Sequence, residues 1–115
     1  DGPFLHIVDR VKDLVIRGGE NISCIEVEAA IYEHSDVLEA CIIGIPDERL
    51  GEQVASAVHL KAGAELSQED IQKFLAGKIA AFKIPFEVRF FKDPLPKIAS
   101  GKFDKPSLRK IFAND

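Results

Sequence analysis

Short apolar runs separated by charged residues open the chain. Phe4–Val8 and Leu14–Ile16 are two such runs, closed by Gly18-Gly19, and they predict a β-hairpin with Asp9–Asp13 at its turn. From Ile25 the period changes. Ile25, Ala29 and Tyr32 recur at helical spacing, Glu26, Glu28 and Glu33 fall on other faces, and Ser23 stands where an N-cap belongs, so a helix is expected from about Ser23 to His34. The next segment, VLEACIIGIPD, is almost continuously apolar, as expected of a central strand covered on both sides and ended by Pro46-Asp47. In EQVASAVHL, Val54, Ser56, Val58 and Leu60 share one side and Ala55, Ala57 and His59 the other, which is the period of a strand. Antiparallel pairing through the turn at 46–51 follows.

Ser67 with Asp70 resembles a capping box, and Ile71, Phe74, Leu75 and Ile79 then repeat at helical spacing to about Ala80, with Gly77 weakening the helix by about 1 kcal/mol relative to alanine. FEVRFF alternates Phe86, Val88 and Phe90 against Glu87 and Arg89, a third strand with one wet face. A loop over Pro94–Lys102 precedes KPSLRKIF, a short last helix with Pro106 in its first turn. The order is ββαββαβα. It predicts an α+β domain in which a three-stranded antiparallel sheet packs against two helices and is preceded by a β-hairpin. No internal repeat or linker divides the 115 residues, so 1–115 reads as one domain.

Composition narrows the function classes. Hydrophobic residues make up 46% and charged residues 30%, which fits a folded globular chain. A formal charge of −4 argues against a general nucleic-acid binder, whose affinity comes from neutralising phosphates. The longest apolar stretch, from Ala40, is too short to span a bilayer, and DGPFLHIVDR lacks the features of a signal peptide, so a cytoplasmic location is expected. Cys24 and Cys41 form no Cys-x-x-Cys pair and His6, His34 and His59 fall at no metal-ligand spacing, so no metal site is expected. The opening DGPF, without an initiator Met, reads as the start of a piece of something longer.

Basic residues concentrate in PLPKIASGKFDKPSLRK, which carries Lys97, Lys102, Lys105, Arg109 and Lys110. Its Ser-Gly-Lys is not a nucleotidase phosphate loop: Pro96 stands where the first glycine should be and Phe103 where a hydroxyl should ligate magnesium. A loop lysine still suits phosphate, because its ammonium is a compact charge and Gly101 lets the backbone approach a ligand closely. A solvated surface loop is the competing reading.

PLPKIASGKFDKPSLR resembles the C-terminal signature of the adenylate-forming enzymes, the acyl-CoA synthetases, peptide-synthetase adenylation domains and luciferases, in which Pro-Lys-x-x-x-Gly-Lys precedes a basic, Leu-containing segment. IVDRVKDLVIRGGENISCIEVE, Ile7–Glu28, is similar to the hinge of that family and the loop that follows it. The resemblance covers essentially the whole chain and is closest to the acyl-CoA synthetases. It implies only the small C-terminal domain, the mobile lid of an AMP-forming acid–CoA ligase that adenylates a carboxylic acid and then forms a thioester.

By this resemblance Lys102 is the catalytic lysine, bridging the substrate carboxylate and the α-phosphate. Arg10 matches the ribose-contacting arginine and Lys12 the hinge residue. Gly18, Gly19, Glu20 and Asn21 correspond to the loop that lines the pantetheine tunnel, and Phe82 and Lys83 are nominated for the nucleotide of CoA. Ile84 and Phe86 depart from members that place Arg or Lys at those positions. Lys97, Ser100 and Gly101 support the loop. Lys105 and Arg109 read equally as solvated or helix-end residues, and Glu26 and Glu28 as a solvated or locally paired helix face. ATP and magnesium are expected to be bound mainly by an N-terminal domain, the expected partner, with coenzyme A as co-substrate. The alternatives are the lid of a peptide-synthetase adenylation domain and a stand-alone, non-catalytic binding module.

Overall fold

The computed structural model describes residues 13–114. The run Phe4–Val8, Arg10 and Lys12 lie outside the described residues. The hairpin seen among the described residues joins β1 (Leu14–Arg17) to β2 (Glu20–Ser23), with Arg17 opposite Glu20 and only Gly18-Gly19 between them. A two-residue turn of this kind requires positive φ at both positions, and the glycines supply 55° and 90°. The strand Glu20–Ser23 is absent from the sequence-based reading because ENIS carries a single apolar residue, Ile22, which is fully buried.

Helix α1 (Cys24–Tyr32) starts where expected, with the Ser23 hydroxyl accepting the Glu26 N–H at 3.3 Å. Its inward face is Cys24, Val27, Ala30 and Ile31; Ile25 and Tyr32, expected on the apolar stripe, are 60% and 43% exposed. β3 (Val37–Asp47) and β4 (Gly51–Leu60) pair antiparallel along their whole length. Asp47 closes their turn by accepting the N–H groups of Arg49 and Leu50. The sheet order is β2-β1-β4-β3, so β4 is the central strand and β3 an edge strand. Pro46 can therefore sit inside β3, because an edge strand tolerates one missing donor.

Helix α2 (Gln68–Leu75) has both halves of its capping box, Asp70 N–H to Ser67 Oγ and Ser67 N–H to the Asp70 carboxylate. It stops short of the expected Ala80. The Lys78 N–H bonds the Leu75 carbonyl across Ala76-Gly77, a tight turn that uses the φ of 88° at Gly77, so the glycine ends the helix instead of weakening it. A 3₁₀ turn (Ala81–Lys83) leads to β5 (Glu87–Phe91), which pairs parallel with β4. α2 is thus a crossover element, the connection that parallel pairing needs. Hairpin, β3, β4 and β5 make one five-stranded mixed sheet.

Helix α3 (Lys105–Ala113) completes the expected order. Val15, Ile22, Val27, Ile31, Ile42, Val54, Val58, Ile71 and Leu75 form one core with α1 and α2; Cys41, Ile43, Ala55, Ala57, Leu95, Leu108 and Phe112 form a second with α3. Odd and even positions of β4 feed opposite cores, as its alternation requires. Buried Leu108 and Phe112 contribute about 1.5–3 kcal/mol each, which a nine-residue helix, marginal alone, requires. Because α3 lies on this second face, its first turn and the loop before it are fixed to the sheet.

Candidate functional site

The segment between β5 and α3 folds back on itself. Phe103 bridges to Lys97, the Ile98 N–H bonds the Lys102 carbonyl at 2.9 Å, and the Gly101 N–H bonds the Ile98 carbonyl at 2.9 Å. The resulting loop of Ala99, Ser100 and Gly101 needs a positive φ at its last residue, and Gly101 has 93°. Lys102 follows at once on the returning limb, exposed. No ion pair among the described residues involves Lys102 or Arg109. Each side chain can therefore meet an incoming anion without first leaving a partner.

The base of this hairpin is anchored on both limbs. Glu39, on β3, accepts the Leu95 N–H at 2.8 Å and pairs with Lys97, whose ammonium lies 5.6 Å from the Phe103 ring centroid. Burial pushes the Glu39 carboxyl up, but the bonds from Lys97 and the Leu95 N–H together outweigh it and hold the group below its ordinary value. On the other limb the Asp104 N–H bonds the Pro96 carbonyl, and the Asp104 carboxylate caps α3 through the Ser107 N–H at 3.2 Å and hydroxyl at 2.7 Å.

Two clefts flank Lys102. The larger, of about 480 Å³, is lined by Asp13, Ile98, Lys102, Phe103, Asp104, Lys105, Pro106 and Arg109. The smaller, of about 270 Å³, adds Glu28 and Gly101 to Asp13, Lys102, Phe103 and Lys105. The fold thus brings the C-terminal basic loop beside Asp13, at the opposite end of the sequence. Of the cations around the larger cleft, Lys105 is offset by Asp13 and Glu28, which leaves Lys102 and Arg109 to meet an anionic ligand.

In the sequence Lys105 reads as a solvated or helix-end residue and Glu28 as part of a solvated or locally paired helix face; Lys105 does open α3, but neither residue is solvated. Each side chain is 17% exposed, and Lys105 Nζ lies 3.4 Å from both Glu28 Oε2 and Asp13 Oδ1. Glu28 also accepts the Ile42 N–H of β3 at 2.8 Å. The two ends of the pair respond differently. Burial pushes Glu28 above its ordinary carboxylate value, and the Ile42 N–H and the Lys105 ammonium recover only part of that cost. Burial lowers Lys105, but Cys24, Glu28, Cys41 and Asp13 around it raise it further than burial lowers it. The neighbouring thiols of Cys24 and Cys41 are pushed up by burial to about 11 and about 12, which makes them idle, neutral packing groups.

A pH dependence of stability follows from these directions. Asp47 is lowered by the Leu50 and Arg49 N–H groups, Asp70 by its Ser67 bonds, and Glu39 as above. These groups contribute stability above the ordinary carboxylate values that is lost as pH falls through their depressed ones. Glu28 has the opposite sign: its contribution is present below 4.5 and lost as pH rises through its raised value. Glu28→Gln is therefore expected to make the thermal midpoint fall more steeply on acidification from that raised value through 4.5. Superimposable pH profiles of parent and variant would remove Glu28 from this balance.

The residues matched to a thiol channel lie apart from the Lys102 hairpin in the chain. Gly18 donates to the Leu50 carbonyl at 2.8 Å, and a Cβ there would meet Leu50 Cδ2 at 2.9 Å, so the hairpin tip is seated on the β3–β4 turn. Glu20 and Asn21 are exposed. Lys83 is paired with Glu26 at 2.9 Å and lies 5.8 Å from the Phe82 ring centroid. Asp13, Glu28 and Glu39 are contributors that the sequence-based reading did not assign to the site. One signal pointed to the first two, the partners of Lys105: a lysine at the first position of a helix opposes the helix dipole and needs carboxylates nearby.

These features define a small α+β domain that presents a loop lysine to an open, cation-lined cleft. Residues 26–102 match the AMP-binding enzyme C-terminal domain, and the chain belongs to that family. It is 46% identical over 109 residues to an oxalate–CoA ligase of Arabidopsis thaliana, covering 95% of this chain and 21% of that protein. It is 42% identical over 107 residues to a mitochondrial medium-chain acyl-CoA ligase of Danio rerio, covering 93% and 18%. Among solved structures, apo MatB from Rhodopseudomonas palustris superposes with a TM-score of 0.83 at 38% identity, covering 88% of this chain and 20% of that one. The same protein is known in an ATP-bound form, with a TM-score of 0.82. The chain thus spans about a fifth of the length of the proteins it matches. No helix among the described residues is long and apolar enough to cross a membrane.

Proposed function

We propose that the chain is the mobile catalytic lid of an ATP-dependent, AMP-forming acid–CoA ligase, working with an N-terminal domain in a longer protein. The observation that carries this reading is the Lys102 hairpin: an exposed lysine without an ion-pair partner among the described residues, held on a hydrogen-bonded, glycine-turned loop at a cleft shared with Arg109. In the first step a carboxylate oxygen of the acid attacks the α-phosphorus of ATP, and the bond to pyrophosphate breaks. Negative charge builds on the phosphate oxygens, and the Lys102 ammonium stabilises it in a site from which the lid excludes water. In the second step the CoA thiol loses its proton, its sulfur attacks the acyl carbon, and AMP leaves. The lid turns at Lys12 between the steps, Arg10 contacts the ribose, and Gly18, Gly19, Glu20 and Asn21 line the thiol path with Phe82 and Lys83 at the nucleotide end.

Coenzyme A is favoured as acceptor because the relatives are named as CoA ligases. No three His, Cys, Asp or Glu side chains among the described residues gather to hold a metal. Magnesium, with most contacts to ATP, is assigned to the N-terminal domain, which also chooses the acid. A cytoplasmic location completes the proposal.

The 115-residue chain alone is expected to show no acid-dependent ATP–pyrophosphate exchange, while the full-length protein does. Robust exchange by the chain alone would refute a two-domain active site.

A further inference from the structure

The cleft beside Lys102 contains a second lysine in a different state. Lys102 is exposed, whereas Lys105, three residues on, is largely buried and held between Asp13 and Glu28 at 3.4 Å from each. The groups it joins come from separate parts of the fold. Asp13 precedes β1, and its backbone carbonyl accepts the Cys24 N–H at 3.0 Å where α1 begins. Glu28 lies on α1 and accepts the Ile42 N–H of β3 at 2.8 Å. Lys105 opens α3, directly after the hairpin whose closing bonds are Phe103 to Lys97 and Asp104 N–H to Pro96.

A lysine at the first helical position is poorly placed for the helix dipole, which favours negative charge there. Burying it adds a desolvation cost that only hydrogen-bonded carboxylates offset. The position is tolerated here because two carboxylates from distant segments converge on it, and breaking either contact leaves a half-buried ammonium under-compensated.

We infer that Lys105 is a positioning residue that ties the Lys102 hairpin to Asp13, the residue following Lys12, through the Asp13–Lys105–Glu28 bridge. The inference rests on the lid reading proposed above. Rotation at Lys12 first moves Asp13; with the bridge intact, Asp13, α1, the edge strand β3 and the base of the hairpin move as one body. The Lys102 ammonium then arrives at the phosphate with little slack. Without the bridge, the hairpin keeps its Glu39 and Asp104 anchors but has more slack relative to Asp13, and a small displacement of a transition-state cation is costly.

A double-mutant cycle in the full-length enzyme tests this, reading acid-dependent ATP–pyrophosphate exchange. Lys105→Met is expected to lower the adenylation kcat about tenfold when Lys102 is present and less than about twofold further in a Lys102→Ala background, since residues acting through one group are non-additive. Asp13→Asn, a near-isosteric change at a partly exposed side chain, is expected to give a smaller loss with the same non-additivity, and it decides the matter if Lys105→Met does not fold. Thioester formation from supplied acyl-adenylate should change less than adenylation in either variant. Equal losses in both backgrounds, or equal losses in both half-reactions, would overturn the positioning role and leave the lid reading standing. Full exchange activity in Lys102→Ala alone would overturn both.

Discussion

Lys102→Ala in the full-length enzyme is expected to lower acyl-adenylate formation by about 10²- to 10³-fold, the usual scale for removing one preorganised donor to a developing charge. Thioester formation from supplied acyl-adenylate should be nearly unchanged, because in the proposed role the lysine acts on the phosphate-transfer transition state and is carried away with the lid before the thiol attacks. The exposed position of the side chain sharpens the test. Its removal takes away no ion pair among the described residues and leaves no cavity, so the thermal midpoint should hold. The two half-reactions are to be measured separately with saturating ATP. Equal loss in both would mean that Lys102 serves general binding or folding, and an unchanged adenylation rate would remove it from the chemistry.

The part of the fold that was readable in the sequence is the part where one physical signal dominates. β3 and β4 announce themselves by β-branched runs and strict alternation, and the capping box of α2 and the Pro106 start of α3 are local hydrogen-bonding devices. Helix α1 shows the limit. Ile25, Ala29 and Tyr32 form one apolar row and Cys24, Val27 and Ile31 another, so the period predicts a helix without saying which row faces the sheet; tertiary packing chose the second. The parallel pairing of β5 was hidden for a related reason, since an alternating strand reads alike in either direction. In the candidate site, the Gly101 turn and the charge of Lys102 were legible as local facts, while a role for Lys102 came from the family resemblance alone. Glu28 and Lys105 were not. Each looks like a surface residue beside its neighbours in sequence, and their burial exists only once α1, α3 and the segment at Asp13 meet.

Lys12→Pro is expected to separate the two half-reactions in the opposite sense to Lys102→Ala. Proline would fix φ near −65° and restrict Val11 before it to extended conformations, so rotation at this point of the chain would be impeded without altering a reacting group. If Lys12 is the pivot, a variant held in the first conformation should retain adenylation, while thioester formation falls by about 10²-fold, the scale that misplacing reaction partners costs. The segment that must turn with it begins at Asp13, which is fastened to α1 by its carbonyl and to α3 by its carboxylate. A block at Lys12 should therefore hold the lid as a unit and leave its own packing intact, with the thermal midpoint close to that of the parent. A structural turn residue would behave otherwise, lowering the midpoint and both half-reactions together. A stable variant with unimpaired thioester formation would sink the hinge assignment.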